Sequence, residues 1–577
     1  MCPSVTLQTQ LLDCLTTLYG DGAGACLARV LALAGQHREA MRAGRERLWD
    51  ARDVVLIAYG DQLQHGAQTP LATLRQFLQQ QGLTELIRIL HILPFFPSSS
   101  DDGFAVSDYE HVDPAIGSWC DVRELAGCVD LMFDLVLNHC STQHRWFQQY
   151  LAGQAPYTGY FIESDAAADL SQVTRPRSTP LLTPFRTAAG VRHVWTTFSA
   201  DQVDLNWANP DVLLEMLHVL FSYVAHGARI IRLDAIAYLW KQIDTPCIHL
   251  RQTHAVVKLM RLLLDACAPG TLLLTETNVP HDENVSYFGA GDEAHIVYQF
   301  SLPPLVLDAF LNRDATPLMS WLAQLEPARP GTTYLNFTAS HDGVGLRPLE
   351  SLLPAERVER LVAEIIARGG LTSTRRRTDG TDSVYELNVS YFSALGDPAD
   401  HDTVTHVRRF LAAQAVMLAL RGIPAVYFHS LFGTPNDREG VRRTGRARTI
   451  NRRKFQRDEL LSLLASPTSP PAQVLAGYRQ MLAVRGQQPA FHPDAAQDVL
   501  ELNHPALITV VRTCPTTGQQ ILAVTNVAST PVSVSLPADF GPDCAATLWW
   551  MGATWGAGGT LTLLPAGGAW LSTYRAR

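Results

Sequence analysis

Eight short apolar runs, each followed by helix-like sequence, constrain this chain more than any other feature. They are "VVLIAYG" (54–60), "LIRILHILP" (86–94), "VDLMFDLVLNH" (129–139), "ARIIRLDAI" (228–236), "TLLLTETNV" (271–279), "HIVYQF" (295–300), "TYLNFTASHD" (333–342) and "IPAVYFH" (423–429). Near-continuous runs of β-branched and aliphatic residues are what strands covered on both faces require. Helical stretches such as "DVLLEMLHVLFSYVAHG" (211–227) and "HAVVKLMRLLLDACAPG" (254–270) lie between them and close on glycine. Alternation of this kind implies a parallel sheet, and eight strands are the number that closes a (β/α)8 TIM barrel.

The spacing also sets the domain organisation. The barrel takes residues 51–139 and 206–485. Residues 140–205, too long for one crossover helix, read as an inserted subdomain after strand three, and 343–400 as an excursion after strand seven. Residues 1–50 carry helical periodicity and form an N-terminal extension. From 486 to 577 apolar and polar residues alternate between Gly/Pro turns, which predicts a C-terminal antiparallel β domain.

Composition narrows the function classes. The net charge of −9 provides no basic footprint, so no nucleic acid and no membrane is expected as a partner. Ten cysteines without CxxC pairs argue against zinc ribbons and disulfide scaffolds. The N-terminus lacks the charged and apolar regions of a signal peptide, and no run is apolar for 18 residues, so a cytoplasmic enzyme is expected. P-loop, Rossmann and HExxH patterns are absent, so no cofactor is expected.

The fourth run carries charge where a buried strand should not. Period-two alternation puts Arg232 and Asp234 on one face, near the strand's C-terminal end, where barrel enzymes hold their chemistry. The guanidinium is expected to keep Asp234 ionised and to fix its rotamer. Glu276 shares a face with Leu272 and Leu274, an apolar setting that raises a carboxyl pKa and suits a general acid. His341 and Asp342 end the seventh run. Taken singly, a strand-end aspartate reads first as a helix N-cap, and an Arg–Asp pair as a structural ion pair. Three acids on one predicted rim point instead to a site; a retaining glycosidase needs two such carboxyls about 5 Å apart.

"FDLVLNH" (133–139), "IIRLDAIAY" (230–238), "LLTETN" (273–278) and "FTASHD" (337–342) resemble, in order, the four signature regions of the α-amylase family of glycoside hydrolases (family 13). Stretches such as "ILHILPFFPSSSDDGFAVSDY" (89–109), "TRPRSTPLLTPF" (174–185), "YELNVSYFSALG" (385–396) and "RTINRRKF" (448–455) resemble its sucrose-phosphorylase group. The resemblance implies Asp234 as nucleophile, Glu276 as acid/base and Asp342 as transition-state stabiliser. It implies that Asp101 and Arg452 close the donor glucose subsite, with Phe104 stacking on the sugar and His139, Arg232 and His341 completing its polar lining. Tyr238 borders the acceptor. Arg177, in the basic "RPR" of 175–177, and Tyr385 match the phosphate positions. No metal is implied, because this group generally lacks the calcium of other family members. The expected partners are an α-glucoside and inorganic phosphate, and a homodimer stays open.

Three positions depart from the sucrose-cleaving pattern: Asn278 stands for a histidine, Glu386 for a glutamine and Thr174 for a tyrosine. "TETNVPHDENVSYFG" and "SHDGVGLRP" are similar to relatives that phosphorolyse 2-O-α-glucosylglycerate, and the arginines of "TSTRRRTDGTDS" (372–383) suit an anionic acceptor. The alternatives are a sucrose, sucrose 6-phosphate or glucosylglycerol phosphorylase, a hydrolase or transglucosidase, and a non-catalytic binding protein on the same fold.

Overall fold

The computed structural model describes residues 5–41, 47–327, 329–376, 381–399 and 402–573. Eight parallel strands close a barrel: β1 (Val55–Ala58), β2 (Ile89–Ile92), β3 (Asp130–Val136), β4 (Ala228–Asp234), β5 (Leu272–Thr275), β6 (Ile296–Tyr298), β7 (Thr333–Phe337) and β8 (Ile423–Tyr427). Each pairs with its neighbours in sequence, and β8 returns to β1 through Val55 opposite Ala425. The expected (β/α)8 architecture is thus found, and every residue of β4 is buried, Arg232 and Asp234 included.

The strands are shorter than the apolar runs. β5 stops at Thr275 and β7 at Phe337, so Glu276, Asn278, His341 and Asp342 lie on the loops beyond. Past its last ladder partner the backbone turns outward, which frees those side chains to face the barrel mouth.

Two helices, α1 (Val5–Tyr19) and α2 (Ala23–His37), precede the barrel. They bury Leu11, Cys14, Leu15, Val30 and Ala34 against the outer helices Arg251–Cys267 and Pro210–Ala225. Between β3 and β4 a hairpin, Leu182–Thr187 with Gly190–Trp195, sits above a short pairing of His139–Ser141 with Gln202–Asp204. Buried Lys241 ties that insertion to the barrel, its Nζ lying 2.8 Å from Asp204 Oδ2 and 2.9 Å from Asn138 Oδ1. After β7 a three-stranded sheet of Val344–Gly345, Asp382–Asn388 and Leu371–Arg376 leans over the mouth. Of the three arginines expected there, Arg375 and Arg376 lie on its outer strand and Arg377 lies outside the described residues.

The chain ends in a six-stranded antiparallel sheet spanning Ala496 to Ser572, as the alternation predicts. Its joint with the barrel is polar. Fully buried Arg485 and Arg512 donate to backbone carbonyls, among them Leu418 at 3.0 Å and Ala419 at 3.0 Å, so each cation is satisfied without an acid. Among the described residues no helix is long and apolar enough to cross a membrane.

Candidate active site

The barrel floor builds the site through strand register. Asp134 on β3 pairs with Arg232 on β4, and Val136 with Asp234, so the three charged side chains meet at one level. Arg232 donates to Asp134 and, at 2.6 Å, to Asp234. His91 of β2 lies 2.7 Å from the other Asp134 oxygen. Burial works against the Asp134 charge, yet His91 and Arg232 bring its carboxyl down to about 2. The arginine therefore does not serve Asp234 alone, as alternation along one strand suggests: a cross-strand acid shares it.

Glu276 sits one residue past β5. Its Oε2 accepts from the Ala235 N–H at 3.0 Å, and its Oε1 lies 3.9 Å from Arg232. Ala235 holds a left-handed φ of 50°, a conformation that costs an alanine free energy and aims this N–H at the acid. Burial pushes both Asp234 and Glu276 up, and Arg232 opposes it in each. Arg232 donates directly to Asp234 and stands farther from Glu276, so its guanidinium favours the ionised form of Asp234 more than that of Glu276.

Asp342 is gripped from the other side. Arg448 Nη1 lies 2.6 Å from Asp342 Oδ1, while its Nη2 and Nε reach Glu386 at 2.7 and 3.1 Å. Burial opposes the Asp342 charge, but Arg448, with His341 and Arg452, holds the carboxyl well below the usual range. Glu386 is wholly buried, with Arg448 as its counter-ion and the Gly343 N–H donating to it at 3.1 Å.

Of the residues expected at the site, Asp234, Glu276, Asp342, Asp101, Phe104, His139, Tyr238, Asn278, His341, Arg177, Tyr385 and Glu386 line one cavity at the barrel mouth, together with Thr174. Arg232 and Arg452 do not line it; each lies behind the wall. Arg452 donates to Asp102 and, at 2.8 Å, to the His341 carbonyl, while Asp101 accepts from Gln202 at 3.3 Å. Of the two adjacent aspartates, Asp102 takes the arginine and Asp101 lines the cavity. Both have left-handed φ, 54° and 51°, and Gly103 follows at 111°, where a Cβ would meet the Pro94 carbonyl oxygen at 2.6 Å. That turn presents Asp101 and Phe104 inward, with Phe104 stacked on His341 at 4.8 Å.

Sequence reasoning gave no individual role to Asp134, His91, Gln202, Arg347 and Arg448. Asp134, His91, Arg347 and Arg448 stand inside the quoted motifs, but only three-dimensional register or loop packing reveals what they touch. Among the described residues, Arg177 has no carboxylate partner; its guanidinium lies over the Tyr385 ring, 5.3 Å from the centroid. No group of three or more metal-type ligands occurs among the described residues.

Residues 76–329 match the α-amylase catalytic domain. The chain is 49% identical over 479 residues to glucosylglycerate phosphorylase of Spirochaeta thermophila, covering 83% of this chain and 81% of that protein. The chain belongs to the α-amylase family of glycoside hydrolases. Within that family it is also 47% identical over 496 residues to glucosylglycerate phosphorylase of Allomeiothermus silvanus, covering 86% of this chain and 88% of the relative. The crystal structure of sucrose 6F-phosphate phosphorylase from Thermoanaerobacter thermosaccharolyticum superposes with a TM-score of 0.71 at 25% identity. It covers 83% of this chain and 94% of that one.

Proposed function

We propose that this protein is a retaining α-glucoside phosphorylase acting in the cytoplasm. It cleaves 2-O-α-D-glucosylglycerate with inorganic phosphate to α-D-glucose 1-phosphate and D-glycerate. Asp234 attacks the anomeric carbon as Glu276 passes its proton to the departing glycerate oxygen, leaving glucose esterified to Asp234. Phosphate enters, loses a proton to Glu276 and attacks from the vacated side, which frees Asp234 and restores the acid. Asp342, held ionised by Arg448, stabilises the positive charge that develops on the sugar ring in the transition state of each step. Phe104 and Asp101 flank the glucose.

The observation that carries this reading is Arg177: a guanidinium without an acid partner among the described residues, on the wall of the cavity that also holds Asp234 and Glu276. A cation left without a counter-ion at such a place awaits an anion, and phosphate supplies one. The glucosylglycerate phosphorylases at 49% and 47% identity support glycerate as the other product. The test is the reverse reaction, with α-glucose 1-phosphate offered to D-glycerate, glycerol, fructose and fructose 6-phosphate. Fastest phosphate release with glycerate is expected; release with fructose first, or glucose formation without an acceptor at the same rate, would overturn the assignment.

A further inference from the structure

Beyond the donor carboxylates, the cavity wall carries arginines that the chemistry above does not use: Arg175, Arg347 and Arg375. Arg175 is held by its own loop, its Nη2 donating to the Ser178 and Thr179 carbonyls. Arg375 is paired with exposed Glu350. Arg347 is held more loosely, its Nη2 lying 3.3 Å from Glu283 Oε2, and it packs beside the Glu276 loop.

Three features put Arg347 on the leaving-group side of Glu276. The backbone two residues before it packs on Asn278 so closely that a Cβ on Gly345 would lie 2.5 Å from the Asn278 amide. Asn278 is two residues from Glu276, and its own Oδ1 is buried without a partner. Burial raises the Tyr238 phenol, and of the charged groups opposing burial Arg347 acts most strongly, ahead of Arg375 and Arg177. Glu283 fixes the guanidinium from behind and is itself fixed by His249, whose Nε2 lies 3.0 Å from the same Oε2 and whose Nδ1 lies 3.0 Å from the Tyr287 hydroxyl. A planar guanidinium on the cavity wall, anchored through Nη2 to one carboxylate, is a preorganised receptor for a second one.

We propose that Arg347, backed by Glu283, is the specificity-determining residue that binds the carboxylate of the acceptor. The inference rests on the glucosylglycerate reading and deepens it: Arg177 takes phosphate, and Arg347 takes the glycerate carboxylate. Asn278 is then the neighbouring group that meets an acceptor hydroxyl.

The test compares D-glycerate with glycerol, the same skeleton carrying a neutral hydroxymethyl in place of the carboxylate, in the reverse reaction with α-glucose 1-phosphate. In Arg347→Gln the glycerate-to-glycerol ratio of kcat/KM is expected to fall about 10- to 100-fold, carried mainly by the KM for glycerate. Arg347→Lys, which keeps the charge, should recover part of that ratio. An unchanged ratio in a wild type that prefers glycerate overturns the Arg347 assignment alone, because a merely structural residue would depress both acceptors together. A wild type that prefers glycerol or fructose overturns the glucosylglycerate reading itself. If Arg347→Gln fails to fold, Glu283→Gln reads the same ratio, with a smaller fall expected and no change overturning the clamp.

Discussion

Replacing Arg177 with methionine separates binding from folding, because the two respond in opposite directions. Without an anion Arg177 faces Arg448 across the cavity, and burial and Arg448 both act against its charge. Methionine keeps the apolar stem that covers Tyr385 and removes a cation for which burial and Arg448 outweigh Glu386, Asp101 and Asp342, so the phosphate-free protein should melt at the same temperature or higher. Phosphate binding should suffer. Charge-assisted hydrogen bonds contribute about 1.5–3 kcal/mol, which corresponds to a rise of roughly 10- to 150-fold in the KM for phosphate. Melting with and without phosphate reads the same quantity. At a concentration about 100 times its Kd, phosphate stabilises the wild type by about 2.7 kcal/mol; a 100-fold weaker site at that concentration yields only about 0.4 kcal/mol. A lower melting temperature in the absence of phosphate would mean that Arg177 is a structural residue. An unchanged KM for phosphate would remove it from the phosphate site, and the main support of the phosphorylase reading with it.

Three further outcomes are expected. Burial brings His341, His295 and His429 down to about 3 and His144 to about 4, so below the unfolded value near 6.5 the unfolded chain binds more protons and stability falls as pH falls. Each histidine adds up to about 1.4 kcal/mol per pH unit, and the raised Asp234 and Glu276 carboxyls act in the opposite direction. Melting temperatures between pH 7 and 4.5 should drop steeply, and a flat profile would contradict neutral burial. Asp134→Asn leaves Arg232 and His91 short of a buried counter-ion and should cost about 3–5 kcal/mol, read by thermal or urea denaturation; unchanged stability would refute the shared clamp. Glu276→Gln should slow glucosylglycerate cleavage by about 10²- to 10⁴-fold but spare α-glucosyl fluoride, whose leaving group needs no proton, whereas Asp234→Asn should abolish turnover of both. Equal losses with the fluoride would reverse the assignment.

How far the site was legible follows from where its residues stand. Asp234 and Glu276 lie on or beside barrel strands, and alternation along a strand dictates which face such a residue occupies before any tertiary contact is known. The identity of their partners was not legible in the same way. Arg232 meets Asp134 because Asp134 pairs with Arg232 across the ladder, and that register is a property of two strands 98 residues apart. Likewise "DD" at 101–102 offers two equivalent aspartates to Arg452, and only the left-handed turn decides that Asp102 takes it and Asp101 faces the cavity.

The far side of the cavity is harder still, for a physical reason. It is assembled from two excursions: the insertion that carries Arg177, and the segment after β7 that carries Arg347, Tyr385 and Glu386. No periodicity constrains such loops, and their relative placement depends on side-chain contacts such as Arg448 with Glu386 and Gly345 with Asn278. At the position where a glutamine gives way to Glu386, Arg448 stands beside the carboxylate and completes a clamp that reaches Asp342. On the proposed reading, the barrel rim holds the part of the reaction shared across the family, and the loops hold the part that selects the departing group. By that logic, exchanging acceptor specificity requires changes at Arg347, Asn278 and Glu283 while the Asp234, Glu276 and Asp342 geometry stays untouched.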